Sequence, residues 1–189
     1  MSGPATRLRR VLALGLILAC SPLAAAVGET APASLVSPDG TASDTLRPGQ
    51  YRWHPEAAPD GPISIVVSLP LQRAYVYRAG ILIGVSTVSS GQPGHDTPTG
   101  SFHILQKEVD HHSSLYNDAP MPFMQRLTWD GVALHAGAIP ERPASHGCVR
   151  LPRAFARLLY GVTEVGASVT ITDEAPAAPE EALALASAS

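Results

Sequence analysis

The chain has 189 residues, 45% of them apolar and 15% charged, a balance that suits one globular domain with tails and leaves too little chain for two. A formal net charge of −3 offers no basic footprint for a polyanion, so nucleic acid is not an expected partner. Glycine and proline, 16 and 18 residues, stay below the share typical of a disordered chain, but seven prolines crowd between Pro22 and Pro62, so the core must be located along an uneven chain.

Arg7, Arg9 and Arg10 precede an apolar run over residues 11–19. A charged start and a short apolar stretch match a secretory signal, and the run is too short to span a bilayer. The small residues Ala24, Ala25 and Ala26 would end a cleaved signal of residues 1–26. Alternatively, Ile17-Leu18-Ala19-Cys20 resembles a lipoprotein box, which would end the signal before Cys20 and anchor the protein to a membrane through a lipid on that residue. Residues 27–61 are rich in Ala, Pro, Ser, Thr and Gly, hold no sustained apolar period, and read as a flexible linker.

The folded core is expected over residues 62–172 and reads mostly as strands. Residues 63–69 are β-branched and almost continuously apolar, as in a strand buried on both faces. Residues 74–77 and 81–88 flank a turn at Arg78-Ala79-Gly80 and form a hairpin. Tyr75 and Tyr77, alternating with Val76, fit ordinary sheet packing rather than a substrate platform. Shorter strands are expected at 101–105, 127–129 and 132–135, the last two joined by the turn dipeptide Asp130-Gly131, and at 168–172. One helix is expected, with Pro152 in its first turn, Phe155, Leu158 and Leu159 at helical spacing, and Gly161 as its stop. The fold class is therefore mainly β, a sandwich or partly closed structure with one helix. Residues 173–189, alanine-rich with acidic residues, read as a disordered tail.

Two histidines and a thiol converge between His135 and Arg150. His135 ends an apolar strand, and a Gly/Pro loop brings the chain back to Cys148 within thirteen residues. Such a pair is chemically useful because the thiolate is the nucleophile and an adjacent imidazole can take its proton. Gly147 allows a tight turn, so that amides around Gly147 and Cys148 could face a developing oxyanion. The chain has two cysteines, and Cys20 is removed or lipidated on export, which leaves Cys148 unpaired in a compartment where disulfides are the usual use of cysteine. Zinc on His135, His146 and Cys148 is the rival, but the paired-ligand spacings are missing. His111-His112 fall in a polar loop and read as a solvated or lid-facing pair. Neither a metal nor another cofactor is expected.

Ser145-His146-Gly147-Cys148-Val149-Arg150 resembles the signature of the YkuD-like family of L,D-transpeptidase catalytic domains, bacterial cell-wall enzymes. Thr97-Pro98-Thr99-Gly100 and Met121-Pro122-Phe123-Met124 match further family features in the same order, and the resemblance covers about residues 63–172. It implies a YkuD-like β-sandwich whose helix follows the catalytic cysteine. It also implies roles: Cys148 as nucleophile, His135 as proton acceptor and donor, the Ala136 carbonyl orienting that imidazole, and His146 and Gly147 shaping the oxyanion site. Arg150 would bind a stem-peptide carboxylate or brace the loop, and Ser145 and Met124 are further substrate-binding candidates. Residues 109–125 would form a mobile cover over the site. The family is acylated by carbapenems.

The chain departs from the family in a shorter connection between His135 and Ser145, in Ala136 where Gly or Ser is frequent, and in lacking a recognisable LysM module. Three functions compete. A transpeptidase would pass the acyl group from Cys148 to an amine on a peptidoglycan stem peptide; a carboxypeptidase or cross-link hydrolase would pass it to water; a non-enzymatic wall-binding protein would keep the site as a relic, against which intact His135 and Cys148 argue. Acceptor choice depends on pocket shape and water exclusion. Papain-like proteases place Cys before His, and sortases separate the two more widely. The expected protein is an exported monomer of the periplasm or cell envelope.

Overall fold

The computed structural model describes residues 46–187; the expected signal over residues 1–26, the lipid site at Cys20 and residues 27–45 of the expected linker lie outside them. Two sheets build the core. The first has six strands in the order β1 (Tyr51–Trp53), β4 (Ile81–Thr87), β3 (Arg73–Arg78), β2 (Ile63–Ser68), β10 (Ser168–Thr172) and β5 (Gly100–His103). The second has four, β6 (Gln106–His112), β7 (Pro120–Arg126), β8 (Ala133–Ala136) and β9 (Val149–Leu151). Helix α1 (Arg153–Val162) follows β9 directly, and α2 (Pro179–Ser187) closes the described chain.

The near-continuous apolar character of β2 has a two-sided cause. Ile65 and Val67 enter the main core with Leu134 and Ala136 of β8, Val149 and Leu151 of β9, and Phe155 and Leu159 of α1. Val66 points the other way, into a second cluster with Tyr75, Tyr77 and Val85 that Ala182 and Leu183 of α2 cover. Tyr75 and Tyr77 are thus packing residues, as their alternation implied; the Tyr77 hydroxyl donates to the Pro179 carbonyl at 2.5 Å. Between β3 and β4, Ala79 and Gly80 take φ of 50° and 80°, the two-residue turn whose twist suits a hairpin.

Four sequence expectations are corrected. The linker does not run to residue 61: Tyr51–Trp53 pairs antiparallel with β4, Trp53 opposite Gly84, and the rings of Tyr51 and Trp53 meet that of Phe155 at 5.6 and 5.5 Å, tilted and edge-on. Gly84 has to be glycine, because a Cβ there would lie 2.5 Å from the Trp53 ring. The tail is not disordered over 179–187, where α2 seals the outer face of the first sheet. Residues 127–129 are not a strand; the strand is Pro120–Arg126, and 127–132 form the turn into β8 through the Leu127 N–H to Val132 carbonyl bond at 2.8 Å. Pro120 and Pro122 hid β7, and they are tolerated because β7 pairs β8 only at Gln125 and Arg126, leaving its other end with one hydrogen-bonded neighbour. Gly161 lies inside α1, which runs to Val162 and is capped by the extended Thr163, whose N–H reaches the Leu159 carbonyl.

Candidate active site

Strands β8 and β9 run parallel, with Leu134 opposite Val149 and His135 opposite Arg150. A parallel pair needs a crossover of about a dozen residues or more, and here residues 137–148 serve. The pairing decides the site. Leu134, Ala136, Val149 and Leu151 face the core, so His135 and Arg150 project from the opposite face. Continuing the register by one residue sets Cys148 beside Ala133, on the face of His135 and about 7 Å along the strand from it. Cys148 there borders the cluster of Met121, Met124 and Ala133.

His135 is 7% exposed. Its Nδ1 lies 2.8 Å from the Ala136 carbonyl oxygen, which can only accept, so Nδ1 carries the proton and Nε2 is left as the basic nitrogen. Burial pushes the imidazole down to about 4, against the Ala136 carbonyl, with the charges of Arg150 and His111 adding to the depression. The Cys148 thiol donates to the Gly131 carbonyl at 3.3 Å. Burial pushes it up, opposed by the Ala133 backbone, Arg150 and Arg126. At neutral pH the resting pair is therefore imidazole and thiol, not imidazolium and thiolate, and the proton has to move during attack.

Both side chains line a cavity of about 480 Å³. Its lining includes Cys148, His135 and Ser145, Tyr116 and Met121 of the β6–β7 hairpin, and Arg150 and Arg153. A second, much smaller pocket of about 40 Å³, lined by His111, Met124, Arg126 and Gly131, also reaches Cys148. The stretch expected as a cover, residues 109–125, is thus a hairpin whose tip overhangs the thiol. His146 is exposed at the rim, its ring 4.6 Å from that of His95, edge-on, and 4.7 Å from that of Tyr116, tilted, so the hairpin tip and the cysteine loop meet through ring contacts.

The other candidates separate. The Ala136 carbonyl orients the imidazole. The aliphatic part of Arg150 lies along Gly137, where a Cβ would be 2.9 Å from its Cδ, so the residue braces the start of the crossover while also lining the cavity. Ser145 is 1% exposed, and its hydroxyl donates to the Cys148 carbonyl at 2.5 Å and accepts from the Gly147 N–H at 3.2 Å; it holds the loop while also lining the cavity. The same bond occupies the Gly147 amide that was expected to face an oxyanion. Met124, 0% exposed, packs beneath the thiol and is no wall of the larger cavity. His111 and His112 sit on β6 and not in a loop, His111 bonded to Glu108 at 2.8 Å and His112 to the Asp118 carbonyl at 2.9 Å. No group of three or more His, Cys, Asp or Glu among the described residues is arranged to hold a metal.

Tyr116, Arg126 and Arg153 were missed. Arg153 had a signal in the sequence, since a cation in the first turn of a helix with no acid there opposes the helix dipole and so serves something other than the helix. Tyr116 and Arg126 reach the site only through the hairpin pairing, which sequence does not display.

A profile of the family described as the L,D-transpeptidase catalytic domain, YkuD, matches residues 62–171. The chain is 30% identical over 106 residues to "Probable L,D-transpeptidase 3" of Mycobacterium tuberculosis, covering 48% of this chain and 39% of that protein. It superposes on a solved L,D-transpeptidase from Stackebrandtia nassauensis with a TM-score of 0.56 at 28% identity, over 63% of this chain and 59% of that one. A further L,D-transpeptidase, solved in complex with imipenem, aligns with a TM-score of 0.55 at 25% identity over 58% of each chain. The chain spans less than half the length of the curated relatives it matches.

Proposed function

This chain belongs to the YkuD family of L,D-transpeptidase catalytic domains, and from that premise we propose that it is a cysteine-dependent L,D-transpeptidase acting on peptidoglycan stem peptides. The carrying observation is the His135 ring held by the Ala136 carbonyl in the same cavity as the Cys148 thiol. In the proposed reaction the Cys148 sulfur attacks the carbonyl preceding the terminal D-Ala of a tetrapeptide stem, and its proton passes to His135 Nε2. The tetrahedral intermediate collapses, D-Ala leaves as the amine with that proton, and a thioester remains on Cys148. An amine acceptor then attacks the thioester, giving its proton to His135, and the thiol is regenerated.

Arg150 and Arg153 support a substrate that carries carboxylates, since both line the cavity and a guanidinium fork matches a carboxylate. The arginines at 7, 9 and 10 ahead of the apolar run over residues 11–19 support an exported protein working in the periplasm or envelope, and the proposal takes it to be a monomer. A fusion reporter is expected to need the first 26 or so residues for export. The direct test is incubation of the exported protein with disaccharide-tetrapeptide and mass spectrometry of the products. A cross-linked dimer with release of D-Ala, unchanged by EDTA, is expected; a shortened stem alone would make the enzyme a carboxypeptidase, and an unchanged substrate would leave the wall-binding alternative.

A further inference from the structure

The motif Thr97-Pro98-Thr99-Gly100 contributes no side chain to the larger cavity, yet Thr97 is 5% exposed and its hydroxyl makes two bonds to distant backbone. It accepts from the Gly91 N–H at 2.8 Å and lies 2.9 Å from the Gly147 carbonyl oxygen. The Gly91 N–H can only donate and the carbonyl can only accept, so the single hydroxyl proton goes to Gly147. The hydroxyl itself is held firmly. A Cβ on Gly91 would lie 2.0 Å from the His95 carbonyl oxygen, so the loop curls on itself there. The same loop is laced to the crossover by Gln92 N–H to the Ser145 carbonyl and Ser145 N–H to the Ser90 carbonyl, both at 3.0 Å.

A trans peptide points its carbonyl and the following N–H to opposite sides. Fixing the Gly147 carbonyl on Thr97 therefore fixes the direction of the Cys148 N–H, away from Thr97. Gly147 takes φ of +111°, where glycine's freedom would otherwise let this peptide rotate. Its own N–H is occupied by Ser145, which leaves the Cys148 amide as the loop's donor beside the sulfur. We propose that Thr97 is a positioning residue that aims the Cys148 N–H at the oxygen of the acyl group under attack. The assignment rests on Cys148 being the nucleophile. As the sulfur–carbon bond forms, the carbonyl π pair moves onto oxygen, the thiol proton passes to His135, and the amide held by Thr97 stabilises the oxyanion.

The test compares two reactions of the same thiol in the full mature protein. Acylation by imipenem passes through an oxyanion; alkylation by iodoacetamide does not. Thr97→Val keeps the shape and removes the hydroxyl, and is expected to slow acylation about 10- to 100-fold, less than or equal to the loss of a whole oxyanion donor, with alkylation within about threefold of the parent. Thr97→Ser is expected to restore acylation. A Thr97→Val protein in which neither rate changes, or in which both fall together, overturns the proposal. Should Thr97→Val not fold, Thr97→Ala is judged on the same ratio of acylation to alkylation, a selective loss supporting the proposal and an unchanged ratio overturning it. An absence of adduct on Cys148 in the parent protein would instead remove the nucleophile assignment beneath it.

Discussion

His135 combines a fixed tautomer with a depressed affinity for protons, and both come from its place on a buried strand. Replacing it with alanine is expected to slow acylation of Cys148 by about 10²–10⁴, the usual worth of a positioned base, measured as the rate of imipenem adduct formation. With the imidazole pushed down to about 4, the base stays competent far below neutrality, so the acid limb of that rate is expected near pH 4 and not near 6.5; a limb at 6.5 would contradict the burial. The same shift is linked to stability. Between pH 6.5 and about 4 the unfolded chain takes up a proton that the folded site refuses, so this contribution is full above 6.5 and falls as pH drops, by at most about 1.4 kcal/mol per pH unit. Denaturation of His135→Ala is expected to lose less stability across that window than the parent. The nucleophile and base were legible because their residue types and loop spacing carry the chemistry. The hydroxyls of Ser145 and Thr97 were not, since their partners are backbone atoms that only the folded loop brings into reach.

Strands with a period or a run were legible, and those whose residues violate the rules were not. Regularity served β2, β3, β4 and β10, whereas β7 contains two prolines and a Phe123 at φ +57°, and β1 is three residues inside a proline-rich stretch. The helix α2 offers Ala182, Leu183 and Ala186 to the sheet, an apolar face too short to stand out in an alanine-rich stretch; its site is the outward-facing Val66, Tyr75 and Tyr77, which need cover. The hairpin of β6 and β7 is tied to α1 by Lys107, whose ammonium donates to the Tyr160 and Thr163 carbonyls at 2.7 and 2.5 Å and sits 4.1 Å from the centre of the Tyr160 ring. A cation on the last carbonyls of a helix satisfies groups that the helix cannot. Lys107→Met is expected to cost about 1.5–3 kcal/mol in urea denaturation, the worth of charged hydrogen bonds. A change within ±0.5 kcal/mol would mean that the tie contributes nothing.

The whole molecule places its chemistry where its two sheets exchange chain. The second sheet supplies His135 and Cys148 from a parallel pair, the loop between β4 and β5 of the first sheet is laced to the crossover, and the β6–β7 hairpin roofs the result. The family motifs fall at these junctions, which is why the sequence displayed the site more clearly than the walls around it. On this reading Cys148 is the group that takes the acyl chain. Intact mass spectrometry after exposure to imipenem, with peptide mapping of the adduct, tests it directly in the parent protein and in Cys148→Ala, a change of small side chain that leaves the fold in place. One adduct per parent chain, mapped to Cys148, and none on Cys148→Ala are predicted; an adduct mapped elsewhere, or one that Cys148→Ala still forms, would contradict the assignment.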